Sequence, residues 1–196
     1  MKIYGDRNSG NCQKVKWVCD ALALPSTWID VDTMAGGSRT PEFLKLNSAG
    51  QVPVVVLDDG RALAQSNAII RYLARGSALI PDDDYLAAKM DEWLFWEQYS
   101  HEPYIAVCRM QMVYLGKSQG DLDPEKVKRG YFALARMEHQ LQQTRFLVGD
   151  ELTLADVSLL AYTRVAHEGS FHIDGYASVR RWVGDAERAL GLQPAG

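Results

Sequence analysis

Short apolar runs and helical repeats alternate along the first 75 residues of the chain. Lys2-Ile3-Tyr4 has the pattern of a short strand, and residues 28–31 form a second run of this kind. Between them, apolar side chains recur at the three- and four-residue spacing of a helix face, at Val15, Val18, Cys19 and Leu22. Because a helix joins the two strands, we expect them to be parallel. Residues 41–44, with Thr40 as the cap, predict a second, short helix.

The pattern then changes to that of a hairpin followed by a third helix. An apolar run at residues 52–57, an Asp-Asp-Gly turn at 58–60 and a second run at 61–64 predict a β-hairpin. Pro53 lies near the start of its strand, where no ladder donor is lost. Gln65-Ser66-Asn67 supplies cap residues for a helix. The predicted order of elements is therefore β-α-β-α-β-β-α.

A break in composition separates this segment from a longer helical one. It runs from Gly76 to Asp84 and contains glycine, serine, proline and three consecutive aspartates. We place a linker at residues 77–83, between a first domain at 1–76 and a second at 84–196. The helical patterns of the second domain cover residues 85–115, 124–143, 154–167 and 177–190. The expected fold is an α/β domain followed by an all-α domain.

The composition of the chain argues against several classes of protein. The chain has 196 residues, of which 47% are hydrophobic, and a formal net charge of −4, so it lacks the basic footprint of a nucleic-acid partner. No apolar run reaches the length of about 18 residues that a membrane span needs, and no leader is evident, so we expect a cytoplasmic protein. Its three cysteines are too few for a disulfide scaffold, and its four histidines lack metal-ligand spacing.

Five short motifs, in order along the chain, carry a family resemblance. They are Ser9-Gly10-Asn11-Cys12-Gln13-Lys14-Val15, Arg39-Thr40-Pro41-Glu42-Phe43, Gln51-Val52-Pro53, Gln65-Ser66-Asn67-Ala68-Ile69 and Leu152-Thr153-Leu154-Ala155-Asp156. Within a thioredoxin-like unit and a helical domain, this set resembles the cytosolic glutathione transferases over nearly the whole chain. The first motif, with Trp93-Leu94-Phe95-Trp96, is most similar to bacterial theta-like and nu-like members.

The resemblance implies a homodimeric transferase with glutathione as co-substrate and without a metal, a nucleic acid or a membrane as partner. Such an enzyme ionises the glutathione thiol and adds it to a small hydrophobic electrophile. An unperturbed thiol has a pKa of about 8.5, and lowering it by two pH units requires about 2.7 kcal/mol of preferential stabilisation of the thiolate. One hydrogen bond to a charged group contributes about 1.5–3 kcal/mol, so a single donor suffices.

The resemblance makes Ser9 and Asn11 the catalytic donors, and they also contact glutathione. Both lie where the first helix begins, so its partial positive charge adds to their effect. From spacing alone, either side chain could instead cap that helix.

For the rest of glutathione, the resemblance implies contacts at three places. Ser66 receives the γ-glutamyl carboxylate at a helix N-terminus, while Gln65, where many relatives have glutamate, faces the ammonium group. Val52 pairs with the cysteinyl backbone beside a cis bond to Pro53. Gln51 reaches the glycyl end. For Ser66, an ordinary helix cap is the alternative.

The electrophile pocket is expected between the two domains. Tyr104, Arg109 and His167 are its candidate residues, with helix core as the alternative for each. Thr153 and Asp156 fit a capping box and are interpreted as structural.

Two other functions stay open at this point. A glutathione-dependent disulfide reductase or peroxidase could use Cys12, because a thiol in the first turn of a helix can have a lowered pKa. A non-catalytic, transferase-like interaction module is the other alternative, since fold does not imply function. Cys19 and Cys108 are interpreted as core residues.

Overall fold

The computed structural model describes residues 1–195, and the chain divides into two compact units, Met1–Ser77 and Ala78–Gly196. Unit 1 contains the strands β1 (Lys2–Gly5), β2 (Thr27–Asp30), β3 (Val54–Val56) and β4 (Ala62–Ala64). They form one sheet in the order β2-β1-β3-β4. The β1–β2 pair is parallel, while β1–β3 and β3–β4 are antiparallel. The parallel pair and the hairpin are thus confirmed.

Three helices complete unit 1: α1 (Gly10–Ala21), α2 (Pro41–Leu46) and α3 (Ser66–Leu73). The side chain of Thr40 caps α2 by accepting a hydrogen bond from the Phe43 N–H. Ile3, Val55 and Ile69 are fully buried in the core of this unit. The order β-α-β-α-β-β-α is confirmed and is that of a thioredoxin-like domain.

Unit 2 is helical, with α4 (Asp84–Trp96), α5 (Glu102–Val113), α6 (Pro124–Leu141), α7 (Leu154–Thr163) and α8 (Ala177–Ala189). Every residue of α7 is buried, so α7 is the central element of this unit. The ring of Phe171 packs directly against Gly130 of α6. A Cβ at position 130 would lie only 2.3 Å from this ring, so a larger residue would clash with it. Within residues 1–195, no helix has both the length and the apolar character that crossing a bilayer requires.

The helical segment predicted over residues 85–115 is present at residues 84–113, but it is not α-helical throughout. A π-helical turn at Glu97–His101 separates α4 from α5. The reason is Pro103, which lacks an N–H group and whose ring clashes with the carbonyl of the preceding turn. The prediction of a helix over residues 154–167 was also too long, because α7 ends at Thr163 and a 3₁₀ turn follows at Ala166–Gly169.

Candidate functional site

Ser9 occupies the N-cap position of α1, but its side chain does not cap the helix. Its backbone is extended (φ −77°, ψ 120°), and its carbonyl accepts hydrogen bonds from the N–H groups of Cys12 (3.1 Å) and Gln13 (3.0 Å). The Ser9 hydroxyl makes no hydrogen bond to the N–H groups of the first turn of α1. The Ser9 hydroxyl is instead hydrogen-bonded to the Cys12 thiol. The alternative interpretation of Ser9 as an ordinary cap therefore does not hold.

Asn11 and Ser66 are in direct contact, although 55 residues separate them in the sequence. Ser66 is the first residue of α3 and is buried, and its hydroxyl donates a hydrogen bond to Asn11 Oδ1 at 3.0 Å. The contact joins the first turn of α1 to the first turn of α3. Sequence reasoning selected both residues but did not predict that they touch each other.

Gln65 precedes α3 with an unusual backbone conformation. Its φ is +70°, one of three positive values among the non-glycine residues that the structure describes. Such a conformation costs about 1–3 kcal/mol and is characteristic of binding and active sites. The Gln65 side chain is exposed and makes no cap hydrogen bond to α3.

The Gln51-Val52-Pro53 segment leads into β3. The Val52–Pro53 peptide bond is cis, which confirms the expectation from the resemblance. Gln51 is exposed, and its carbonyl accepts a hydrogen bond from Asn47 Nδ2 at 2.8 Å. Asn47 Oδ1 in turn accepts from the Ala49 N–H at 3.2 Å, so one side chain holds this loop at both ends. Sequence reasoning missed Asn47, although the Asn-Ser-Ala-Gly turn that it begins was a readable signal.

Cys12 is fully buried, which argues against its use as a nucleophile. Its Sγ packs on β1, where a Cβ added to Gly5 would lie only 3.1 Å away. Burial raises the pKa of the Cys12 thiol to about 11, against a smaller lowering effect of its hydrogen bond with Ser9. Cys19 and Cys108 are also buried, as the core interpretation predicted.

The three electrophile-pocket candidates lie on α5 and on the 3₁₀ turn Ala166–Gly169 of unit 2. Tyr104 lines a surface groove of 420 Å³ together with Trp96 and Arg129, and its hydroxyl accepts from Arg129 Nη1 at 3.3 Å. Arg109 is largely buried and forms an ion pair with Glu168, with Nε and Oε2 2.6 Å apart. His167 is exposed in the 3₁₀ turn Ala166–Gly169. Of the three candidates, only Tyr104 lines this groove.

Comparison with known proteins supports the family resemblance that the sequence motifs indicate. Residues 8–75 match the glutathione S-transferase N-terminal domain, and residues 99–186 match the glutathione S-transferase C-terminal domain. The chain is 32% identical over 167 residues to glutathione S-transferase 3 of Zea mays, an alignment that covers 81% of this chain and 74% of the maize protein. The chain belongs to the glutathione S-transferase family.

Two solved glutathione S-transferases share the whole architecture. The protein from Pseudomonas fluorescens Pf-5 is 43% identical, with a TM-score of 0.92 over 95% of this chain and 94% of its own. The protein from Xanthobacter autotrophicus Py2 is 39% identical, with a TM-score of 0.91 over 100% of this chain and 95% of its own. The thioredoxin-like unit followed by a helical unit is thus the glutathione S-transferase fold.

Proposed function

We propose that this glutathione S-transferase binds glutathione where α1 and α3 begin, ionises its thiol with Ser9 and Asn11, and adds the thiolate to a small hydrophobic electrophile. The observation that carries the proposal is the N-terminus of α1. Ser9 lies at the cap position, yet its hydroxyl makes no cap hydrogen bond. That hydroxyl can therefore turn from the Cys12 thiol to a ligand without loss of a helix cap.

The energetics of thiol ionisation support these residues. Lowering the thiol pKa by two pH units needs about 2.7 kcal/mol, and one hydrogen bond to a charged sulfur supplies about 1.5–3 kcal/mol. The Ser9 hydroxyl and the Asn11 amide are donors of this kind. The positive end of α1 adds about 0.3–1 kcal/mol. The rate gain then comes from ionisation and from the proximity of bound reactants.

The remaining contacts with glutathione extend the proposal along the tripeptide. The γ-glutamyl carboxylate lies at the first turn of α3, against the backbone amide of Ser66, whose hydroxyl donates its one proton to Asn11 Oδ1. Gln65 faces the ammonium group as a neutral acceptor. Val52 pairs with the cysteinyl backbone next to cis Pro53, and Gln51 contacts the glycyl end. The exposed side chain of Gln51 and its loop, held by Asn47, support this assignment.

Five finer features belong to the same proposal. The chain is a theta-like or nu-like member, as its Ser-Gly-Asn motif suggests. It works as a homodimer and in the cytoplasm, where free thiols such as those of its three cysteines are kept reduced. Tyr104, Arg109 and His167 contact the electrophile. Residues 1–76 form the glutathione-binding domain, and residues 84–196 form the helical domain.

The test is the thiolate absorbance of glutathione, titrated against pH with and without the protein. We expect the bound thiol to ionise about one to two pH units below the free thiol, and Ser9→Ala to remove most of that difference. Ser26→Ala is the matched control, because it removes the same hydroxyl at the opposite end of the sheet. Ser26 lies just before β2, next to the start of β1 at Lys2, whereas Ser9 follows the end of β1 at Gly5. Glutathione that binds with an unshifted thiol, or does not bind, contradicts the proposal.

A further inference from the structure

We propose that Ser66 is also a positioning residue for the thiol, because its hydroxyl holds the Asn11 carboxamide in the orientation that presents an N–H donor to sulfur. The inference rests on the proposed function, since it requires glutathione to bind where α1 and α3 begin. It adds a second task for Ser66, which the proposed function uses only for the γ-glutamyl carboxylate.

The geometry of the pair carries the inference. Ser66 Oγ donates to Asn11 Oδ1 at 3.0 Å, and the Ser66 residue is only 6% exposed. A hydrogen bond in such a place competes with little water and is stronger than one at the surface. α1 and α3 also pack against each other, so the two backbone positions are held together. The contact lies where α1 and α3 meet, with Ser66 buried and Asn11 partly exposed.

The chemistry of asparagine explains what this hydrogen bond selects. A carboxamide has an acceptor oxygen at one end and a donor NH₂ group at the other. A hydroxyl that donates to Oδ1 stabilises the orientation in which oxygen faces α3 and the NH₂ group faces away from it. In the flipped orientation, the oxygen lone pairs would face the sulfur anion and repel it. With its hydroxyl donating to Oδ1, Ser66 thus holds Asn11 in the orientation that stabilises the thiolate.

This arrangement connects the two ends of the ligand through one residue. The backbone N–H of Ser66 belongs to the first turn of α3, where the proposed function places the carboxylate. Its side chain reaches Asn11, next to the proposed position of the thiol. Recognition of the γ-glutamyl group and ionisation of the cysteinyl thiol therefore depend on the same residue, through its backbone and its side chain.

The experiment compares Ser66→Ala, Ser66→Thr, Asn11→Ala and the double variant Ser66→Ala/Asn11→Ala in the full chain. Two quantities are measured for each: the pKa of the bound thiol at saturating glutathione, and the Kd for S-methylglutathione, which has no ionisable thiol. Weaker carboxylate binding changes that Kd, but a saturated complex reports thiol ionisation independently. Thermal unfolding of every variant is measured as a control, to establish that unit 1 remains folded.

We expect Asn11→Ala to raise the pKa of the bound thiol by about one pH unit, and Ser66→Ala by at least half as much. The double variant should match Asn11→Ala alone, because Ser66 acts through Asn11. Ser66→Thr keeps a hydroxyl and should restore the pKa. Asn11→Asp accepts the same hydrogen bond without an N–H donor, so it should raise the pKa at least as much as Asn11→Ala.

Two results overturn the inference while leaving the proposed function intact. One is a Ser66→Ala complex that binds S-methylglutathione more weakly but ionises glutathione as the wild type does. The other is additive pKa changes in the double variant, which indicate independent roles. A wild-type complex without any lowering of the thiol pKa is a different outcome, since it removes the proposed function itself and the inference with it.

Discussion

Helix N-termini differ between the two units. In unit 2, Asp83 caps α4 by accepting from the Leu86 N–H, and Asp123 caps α6 in the same manner. In unit 1, Ser9 and Gln65 hold the N-cap positions of α1 and α3, and neither side chain makes a cap hydrogen bond. The first N–H groups of a helix need partners, which a carboxylate of the chain or a bound anion can provide. In unit 2, carboxylates of the chain thus stabilise the starts of α4 and α6, whereas in unit 1 our proposal assigns the starts of α1 and α3 to a ligand.

The strongest example on the stability side is the start of α7. Asp156 is fully buried and accepts hydrogen bonds from the Thr153 N–H (2.9 Å) and hydroxyl (3.0 Å), the Leu147 N–H (2.9 Å) and Trp182 Nε1 (2.8 Å). The capping box predicted from sequence is therefore confirmed. Burial acts to raise the pKa of Asp156, and these four donors act to lower it. One carboxylate connects α7, the loop before it and α8.

The largest expected effect is that of Asp156→Ala. It leaves four buried donors without their acceptor, and each such group costs about 1–3 kcal/mol, so we expect a loss of at least about 3 kcal/mol in the free energy of unfolding. Urea denaturation measures it. Asp156→Asn keeps one acceptor oxygen and should lose less. A loss below about 1 kcal/mol for the alanine variant would mean that the helix starts in unit 2 are not what stabilises it.

In contrast to Asp156→Ala, the variant Ser9→Ala at the start of α1 should lose activity but little stability. Because the Ser9 hydroxyl makes no cap hydrogen bond, the free energy of unfolding should change by less than about 0.5 kcal/mol. Loss of a donor to the thiolate should lower kcat/KM by about 10- to 100-fold. Steady-state kinetics and urea denaturation of the same preparations test both halves. A variant that is destabilised but catalytically normal reverses the comparison.

α8 provides an intermediate case, since a side chain from another helix meets its first turn. Glu138 Oε2 accepts from the N–H groups of Ser178 and Val179, both at 2.9 Å. Burial opposes ionisation of Glu138, but these N–H donors hold its pKa below the ordinary value of 4.5. Because the pKa is lower in the folded state, the stabilisation is complete above pH 4.5 and is lost as the pH falls through the lowered value.

Glu138→Gln should therefore lower the free energy of unfolding by about 1 kcal/mol at neutral pH. The difference from the wild type should shrink in acid, where the wild-type carboxyl also becomes neutral. Unfolding free energies measured over a pH series give this comparison. If the free energy of unfolding differs between wild type and Glu138→Gln by the same amount at every pH, the charge of Glu138 contributes nothing.

The smallest effect is expected for Cys12→Ala on activity. With a pKa of about 11, the Cys12 thiol is almost wholly protonated at neutral pH, so it is a poor nucleophile. We expect kcat/KM for transfer to change by less than about threefold, and slow alkylation of Cys12 in the folded protein. Disulfide reductase activity that disappears in Cys12→Ala and persists in Ser9→Ala would instead support the reductase alternative.

Local patterns allowed most of the secondary structure to be predicted. The Thr40 cap, the hairpin and the Thr153–Asp156 box each involve residues within a few positions of each other, so their chemistry is visible in a short window. The π-helical turn at Glu97–His101 was not predicted because the apolar pattern continues through it. The functional residues of unit 1 were selected from motifs, and their roles in glutathione chemistry remain predictions.

The sequence by itself determined the order of elements, the helix caps and the resemblance to glutathione transferases, because these depend on neighbouring residues and on motif order. Only the tertiary structure decided which distant groups meet. It placed Ser66 on Asn11, Trp182 on Asp156, and Cys12 in a buried position. The physical reason is that hydrogen bonds and burial at these positions depend on how helices pack, and packing joins residues that local periodicity does not relate.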